Sequence, residues 1–143
     1  MNLGTAGEAL IKSFEQFRST AYPDEGGVPT IGWGHTGPDV TLYMAPCTMP
    51  QAQVWFDQDT AHCVAVLSAA LGPAVTQNQF DACVSLAYNI GVGAFLHSTL
   101  LAKMKAGDTA GAADQFLVWD NVNGVPSAGL LRRRRAEQAL FST

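Results

Sequence analysis

Apolar residues return at helical spacing in the first segment of the chain. Ala6, Leu10, Ile11, Phe14 and Phe17 predict an amphipathic helix over residues 5–17, opened by a capping box of Thr5 with Glu8. The pattern then breaks. Pro23, Gly26, Gly27, Pro29, Gly32, Gly34 and Gly37 punctuate the next stretch, and the short runs Ala21-Tyr22 and Val28 to Trp33 predict a small hairpin about a Glu25-Gly26-Gly27 turn. Helical spacing resumes at residue 48. Thr48-Met49-Pro50-Gln51 reads as a capping box whose helix runs to Leu71 and stops at Gly72-Pro73. Thr76 to Gln79 is a second box, and Phe80, Cys83, Val84, Ala87 and Tyr88 give the apolar face of a helix ending at Gly91. Ser98 caps a helix over residues 99–106, and Asp108 caps another to about Leu117. Asn121 to Ser127 reads as a loop. Leu130, Ala136, Leu140 and Phe141 mark a closing helix over Gly129 to Phe141.

Helix, small hairpin, then several helices is an α+β order in which helices dominate. No repeat or linker cuts the chain, so residues 1–143 are expected to form one domain. Within it the pattern separates a hairpin lobe of about residues 18–45, a connecting helix of about 48–71 and a helical lobe of about 76–143.

Composition narrows the function classes. Apolar residues make up 48% and charged residues 14%, which excludes a disordered tail or a coiled coil. Eight Lys and Arg against twelve Asp and Glu leave a net charge of −4, a poor balance for a protein that neutralises phosphates. Nucleic acid is therefore not an expected partner. Four of the eight cations are consecutive, Arg132 to Arg135. A helix turns about 100° per residue, so they cannot share one face, and at least one is expected to point inward. No apolar run approaches the ~18 residues of a membrane span, and Met1 to Phe17, carrying Glu8 and Lys12, does not read as a signal peptide. Stable membrane insertion is not expected. Cys47, Cys63 and Cys83 read as buried free thiols in a reducing compartment, the alternative being one disulfide between Cys63 and Cys83.

One constellation carries chemistry. Glu15 closes the first predicted helix, Asp24 follows in the hairpin, and Thr30 opens the run Thr30-Ile31-Gly32-Trp33-Gly34-His35-Thr36. A carboxyl at a helix end and another on a facing hairpin flank a cleft. Cleavage of a glycosidic bond needs such a pair, one protonated and one ionised. Phe14, Phe17 and Trp33 are expected to desolvate Glu15 and favour its acid form, while Asp24, in a polar turn, stays ionised. Thr30 offers a hydroxyl to orient water. By spacing alone, two acids and a threonine beside a Gly-rich turn are more often solvated surface groups.

The surrounding residues decide between those readings. Phe14-Glu15-Gln16-Phe17-Arg18, Ala21-Tyr22-Pro23-Asp24 and the run from Thr30 to Thr36 resemble the N-terminal signature of the phage-type lysozymes, glycoside hydrolase family 24. Gln79-Phe80-Asp81-Ala82, Tyr88-Asn89-Ile90-Gly91, Gly93-Ala94-Phe95 and Ser98-Thr99-Leu100-Leu101 are similar to its central helix and turn. Gly129-Leu130, Arg133-Arg134, Glu137 and Leu140-Phe141 look like its C-terminal block. The resemblance spans about residues 5–141. One departure is Gln16-Phe17, where many members have glycine after the glutamate.

The resemblance implies a lysozyme-like fold and hydrolysis, by inversion, of the β-1,4 bond between N-acetylmuramic acid and N-acetylglucosamine in peptidoglycan. It implies Glu15 as general acid, with Asp24 and Thr30 placing water. Thr36 and Ser98 match positions that contact saccharide. Tyr88, beside Asn89 and a Gly-rich turn, is the aromatic candidate for sugar contact, whereas Trp33 and Trp119 read as core. Of Arg133 and Arg134, one is expected to pair with an acid near Glu15. His35 reads as a structural residue that pins the hairpin, and with His62 and His97 it forms no ligand pattern, so neither a metal nor a cofactor is implied. The expected partner is the glycan strand, met by a monomer that accumulates in the host cytoplasm and reaches the wall through a holin lesion. The alternatives are a lytic transglycosylase and a non-catalytic wall-binding module.

Overall fold

A computed structural model describes residues 1–143. Helix α1 (Thr5–Glu15) leads into a hairpin of β1 (Arg18–Pro23) and β2 (Pro29–Gly32), and helix α2 (Met49–Leu71) follows. The helical part contains α3 (Gln77–Ile90), α4 (Val92–Leu96), α5 (Thr99–Lys105) and α6 (Thr109–Gln115), then a 3-10 turn at Phe116–Val118. A two-residue ladder of β3 (Asn121–Val122) and β4 (Val125–Pro126) precedes α7 (Ala128–Phe141). The α+β, mostly helical order matches the pattern in the sequence.

Helix α3 is the hub. Its residues Phe80 to Ala87 are buried on every side, as expected of a helix surrounded by others. Helices α1, α2 and α7 pack on it, and a cluster that includes Ile11, Phe56, Leu67, Phe80, Phe95 and Phe116 fills the space between them. The hairpin lobe contributes Ile31 and Val40 outside that cluster. All three cysteines are free thiols. Cys63 and Cys83 are buried, whereas Cys47 is only half-buried, its Sγ facing the Arg18 carbonyl.

The caps divide between local and borrowed. Thr76 and Gln79 form the complete box at α3, and Ser98, Asp108 and Ser127 each cap the helix they precede. The box at α2 is only half made, with Thr48 Oγ1 accepting from Gln51 N and no return bond. The box at α1 is absent. There the N-cap is Gly4, and the cap comes from α3: Asp81 Oδ1 accepts from Gly4 N at 2.9 Å and Oδ2 from Gly7 N at 3.1 Å. Asp81 is 1% exposed, so this carboxylate satisfies two orphan amides and welds the start of α1 to the central helix.

The predicted first helix runs two residues too long. It ends at Glu15 because Gln16 takes a φ of 53° and a ψ of 150°. A side chain in that region costs on the order of 1 kcal/mol or more, which accounts for the glycine that many members of the resembled family carry there. The kink reverses the chain into β1 and leaves the Glu15 side chain at the junction between the lobes. Two other differences are small. The Gly91 turn continues into the short α4, and the loop predicted over Asn121 to Ser127 contains the β3–β4 ladder, turned by Asn123-Gly124 at positive φ.

Candidate active site

Glu15 is held by α7. Its Oε1 accepts from Arg133 Nη1 at 2.6 Å, and the two side chains are 14% and 5% exposed. Arg133 is itself fixed from two further directions. Its Nε meets Glu137 Oε1 at 3.2 Å, its Nη2 donates to the Ser85 carbonyl at 3.3 Å, and its guanidinium lies 5.9 Å from the Phe14 ring centre. Ser85 Oγ also donates to Glu137 Oε1, at 2.7 Å. The second inward arginine, Arg134, faces Glu137 Oε2 at 3.1 Å and Asn89 Oδ1. Two carboxyl groups and two guanidinium groups thus close a buried quartet at the base of the site.

This environment corrects the expectation of an apolar pocket around Glu15. Phe14 lies against Arg133, and Phe17 packs on Trp33 at 5.6 Å between centroids. The immediate partner of Glu15 is a cation. Both Arg133 and Arg134 point inward, but only Arg133 touches Glu15. Burial pushes the Glu137 carboxyl above its ordinary pKa, with both arginines opposing the shift. Burial also pulls Arg134 down to about 10.

The second oxygen of Glu15 faces the hairpin. A Cβ on Gly34 would overlap Oε2, and Gly34 has a φ of +83°, so any side chain there would strain the backbone and displace the carboxyl. Gly34 also lines a cavity of about 380 Å³ between the hairpin, α2 and α3, walled by Thr36, Asp59, His62, Cys63 and Tyr88 among others. The cavity therefore opens beside Glu15, while Asp24 and Thr30 lie outside its wall.

Asp24 and Thr30 are tied through one residue. Asp24 Oδ1 accepts from Gly26 N at 2.8 Å and from Val28 N at 2.9 Å, the self-made turn that aspartate favours. Thr30 Oγ1 donates to the Val28 carbonyl at 2.8 Å. Asp24 is exposed and Thr30 almost enclosed. The Asp24 Oδ2 is left free, and the Thr30 hydroxyl, its hydrogen already used, is left as an acceptor.

The other predicted contacts separate. Thr36 is exposed on the cavity wall. Tyr88 lines the same cavity with its ring, but its hydroxyl donates to the Trp33 carbonyl at 2.6 Å, and burial raises the pKa of the phenol. Ser98 is 7% exposed, and its Oγ donates to the Phe95 carbonyl at 2.6 Å and accepts from Leu101 N at 3.1 Å, so its hydroxyl caps α5 and keeps one acceptor lone pair.

His35 bridges the lobes. Its ring stacks on Trp55 of α2 at 4.9 Å, Nδ1 meets Asp59 at 2.7 Å and Nε2 meets Asp39 at 2.9 Å. Both contacts are hydrogen bonds only when both nitrogens carry protons. Burial disfavours that cation, yet the bonds to Asp39 and Asp59 override it, and the pKa rises above 6.5. Its stabilisation is complete below pH 6.5 and is lost as pH rises through the higher folded value. Asp39 is held below 3.8 by His35, so its share is present above 3.8 and is lost as pH falls through its lower folded value. Burial raises Asp59 above 3.8, so the bridge is strongest between the titration of its acids and that of His35. His35→Asn is expected to cost about 2 kcal/mol, chiefly through the Asp59 bond, because the half-exposed Asp39 is screened. Melting at pH 5.5 and 8.5 checks this: the variant should lose its deficit toward the higher pH, while turnover per folded molecule stays close to wild type.

Asp59, Asp39 and Ser85 carry no signal in the sequence, and Asp81 enters only as part of the Gln79-Phe80-Asp81-Ala82 block, with no role attached. Glu137 carries one, standing four residues after Arg133 on a predicted helix, the spacing of an ion pair.

Comparison with known proteins identifies the family. The phage lysozyme family matches residues 12–137. The endolysin of Acyrthosiphon pisum secondary endosymbiont phage 1 is 40% identical, over 100% of this chain and 99% of that one. Among solved structures, the endolysin from Escherichia coli O157:H7 phage FAHEc1 superposes with a TM-score of 0.86 at 38% identity, covering 99% of this chain and 93% of the other. The muramidase domain of SpmX from Asticaccaulis excentricus gives 0.87 at 36%, covering 99% and 98%. A family match that begins before Glu15 and ends at Glu137 encloses the whole quartet and the hairpin above it, and the chain belongs to the phage lysozyme family.

Proposed function

We propose that Glu15, Asp24 and Thr30 hydrolyse the β-1,4 bond between N-acetylmuramic acid and N-acetylglucosamine with inversion at the anomeric carbon. The chain is a hydrolase of the endolysin type that acts on peptidoglycan. The observation that carries the assignment of residues is the division of labour between the oxygens. Glu15 commits Oε1 to Arg133 and leaves Oε2 against Gly34 of the cavity wall, so Oε2 is the atom that carries the proton to the leaving oxygen. Arg133 then stabilises the carboxylate that remains. On the hairpin, a water that donates one hydrogen to Asp24 Oδ2 and the other to Thr30 Oγ1 directs a lone pair at the sugar. Thr30 accepts because its own hydrogen is held by Val28. Asp24 takes the proton as the water attacks, and inversion requires roughly 6.5–9.5 Å between the carboxyls for that water.

The glycan strand lies along the cavity, with Thr36 and the Tyr88 ring on its wall. His62 joins them there as a contact that the sequence reading left without a role. Residues 1–143 work as one unit, the hairpin lobe closing over the helical lobe, and as a monomer. No helix is long and apolar enough to cross a membrane, and delivery from the cytoplasm through a holin lesion is part of this proposal. Arg132 and Arg135, exposed on α7, are the cations available to an anionic wall.

The test is product analysis on purified peptidoglycan. Hydrolysis with inversion yields new reducing ends that appear first as the α-anomer by NMR. A product with 1,6-anhydro ends by mass spectrometry would make the enzyme a transglycosylase, and binding without any new ends would make it a wall-binding module.

A further inference from the structure

The turn that carries Asp24 is fastened to α7 by its next residue. Glu25 Oε2 accepts from Ser127 Oγ at 3.0 Å, across 102 positions of sequence. Ser127 is the N-cap of α7, and the same hydroxyl oxygen accepts from Leu130 N at 3.2 Å. The first turn of α7 contains no acidic residue of its own. A helix N-terminus favours negative charge, and here the hairpin supplies it. The other oxygen of Glu25 lies 3.6 Å from where a Cβ on Gly129 would stand, so the carboxylate rests on that first turn with both oxygens.

Helix α7 therefore touches both halves of the site. At its start Ser127 holds the neighbour of Asp24, and further along Arg133 holds Glu15. Six positions of helix separate these two anchors, about 9 Å at ~1.5 Å per residue. The Glu25 contact is exposed, so it adds little to global stability and its effect is expected in placement rather than in Tm.

We propose that Glu25 and Ser127 are positioning residues: their contact fastens the Asp24 turn to α7 and so sets the distance from Asp24 to Glu15. The proposal rests on the reading of Glu15 and Asp24 as the catalytic pair. The experiment compares two variants that both retain a good N-cap. Ser127→Asn keeps a donor for Glu25, whereas Ser127→Asp presents a like charge. With purified peptidoglycan, Ser127→Asp is expected to lower kcat about tenfold with KM within about twofold, as a misplaced group does. Ser127→Asn is expected to retain kcat within about twofold at a similar Tm. Glu25→Lys combined with Ser127→Asp restores an attraction of reversed sign and should recover most of the loss. Wild-type kcat in Ser127→Asp, equal losses in both single variants, or no recovery in the pair would each overturn the clasp. Asp24→Asn, assayed alongside, separates the two readings. If it loses turnover while Ser127→Asp does not, the clasp fails and the pair stands. If it turns over at the wild-type rate, the pair fails and the positioning role fails with it.

Discussion

Glu15→Gln is expected to lower the release of reducing ends from purified peptidoglycan by about 10²–10⁴-fold, or about 3–5.5 kcal/mol of transition-state stabilisation. The change removes the transferable proton and little else. A glutamine Oε1 still accepts from Arg133 Nη1, and Arg133 still has Glu137 and the Ser85 carbonyl. The fold should therefore survive, with Tm within about 4 °C of wild type. The pairing of lost turnover with retained Tm is the informative result, because a structural role would move both. Equal rates in the two proteins would remove Glu15 from the mechanism. Asp24→Asn acts on the other half of the reaction. Its amide oxygen still accepts from Gly26 N and Val28 N, so the turn is expected to persist while the proposed base is lost.

The largest loss of stability is expected from Glu137→Gln. Glu137 is 0% exposed and is the shared counter-charge of Arg133 and Arg134. Arg134 is equally buried, and even with its pKa drawn down to about 10 it remains a cation at neutral pH. Its contact with Glu137 is one of charge at 3.1 Å without hydrogen-bond alignment, since Arg134 Nη1 and Glu137 Oε2 have no bonded partner. A neutral amide cannot replace that interaction. Removing one side of a buried ion pair costs about 3–5 kcal/mol because the partner is left uncompensated. For a chain of this size the fall in Tm is on the order of 10 °C. Thermal melting checks it, and a Tm within about 2 °C of wild type would show that the quartet contributes no net stability. Ser85→Ala, which removes only a hydroxyl from Glu137, should cost about 1 kcal/mol.

The parts legible in the sequence were those written in short range. Helical spacing placed the main helices, and the Thr76 box and the Ser98 and Asp108 caps were found because donor and acceptor lie within three residues. The cap of α1 was misread for the complementary reason. Thr5 and Glu8 have the local signature, but the helix begins one residue earlier than that box requires, and Asp81, more than seventy positions away, takes the Gly4 and Gly7 amides from a buried site. The cap at Ser98 takes the hydroxyl hydrogen and one lone pair, a second duty that the motif alone does not reveal. The inward turn of the arginine run followed from helix geometry alone. Which arginine meets Glu15 did not, since that depends on how α1, α3 and α7 pack. Likewise His35 was read as a pin, but its partners Asp39 and Asp59 emerge only when the hairpin is laid on α2.

The weld between Asp81 and the start of α1 gives the two carboxyls of the site different lifetimes. Glu15 ends a helix anchored at its first turn to the hub and at its last residue to Arg133, so exposing it requires opening the cooperative core. Asp24 sits on an exposed turn closed by its own side chain and by the Glu25 contact, and such segments open at small fractions of the global free energy. The site is thus assembled from one permanent wall and one that is continually remade. On warming, the hairpin is expected to open first, so that loss of activity precedes loss of the fold.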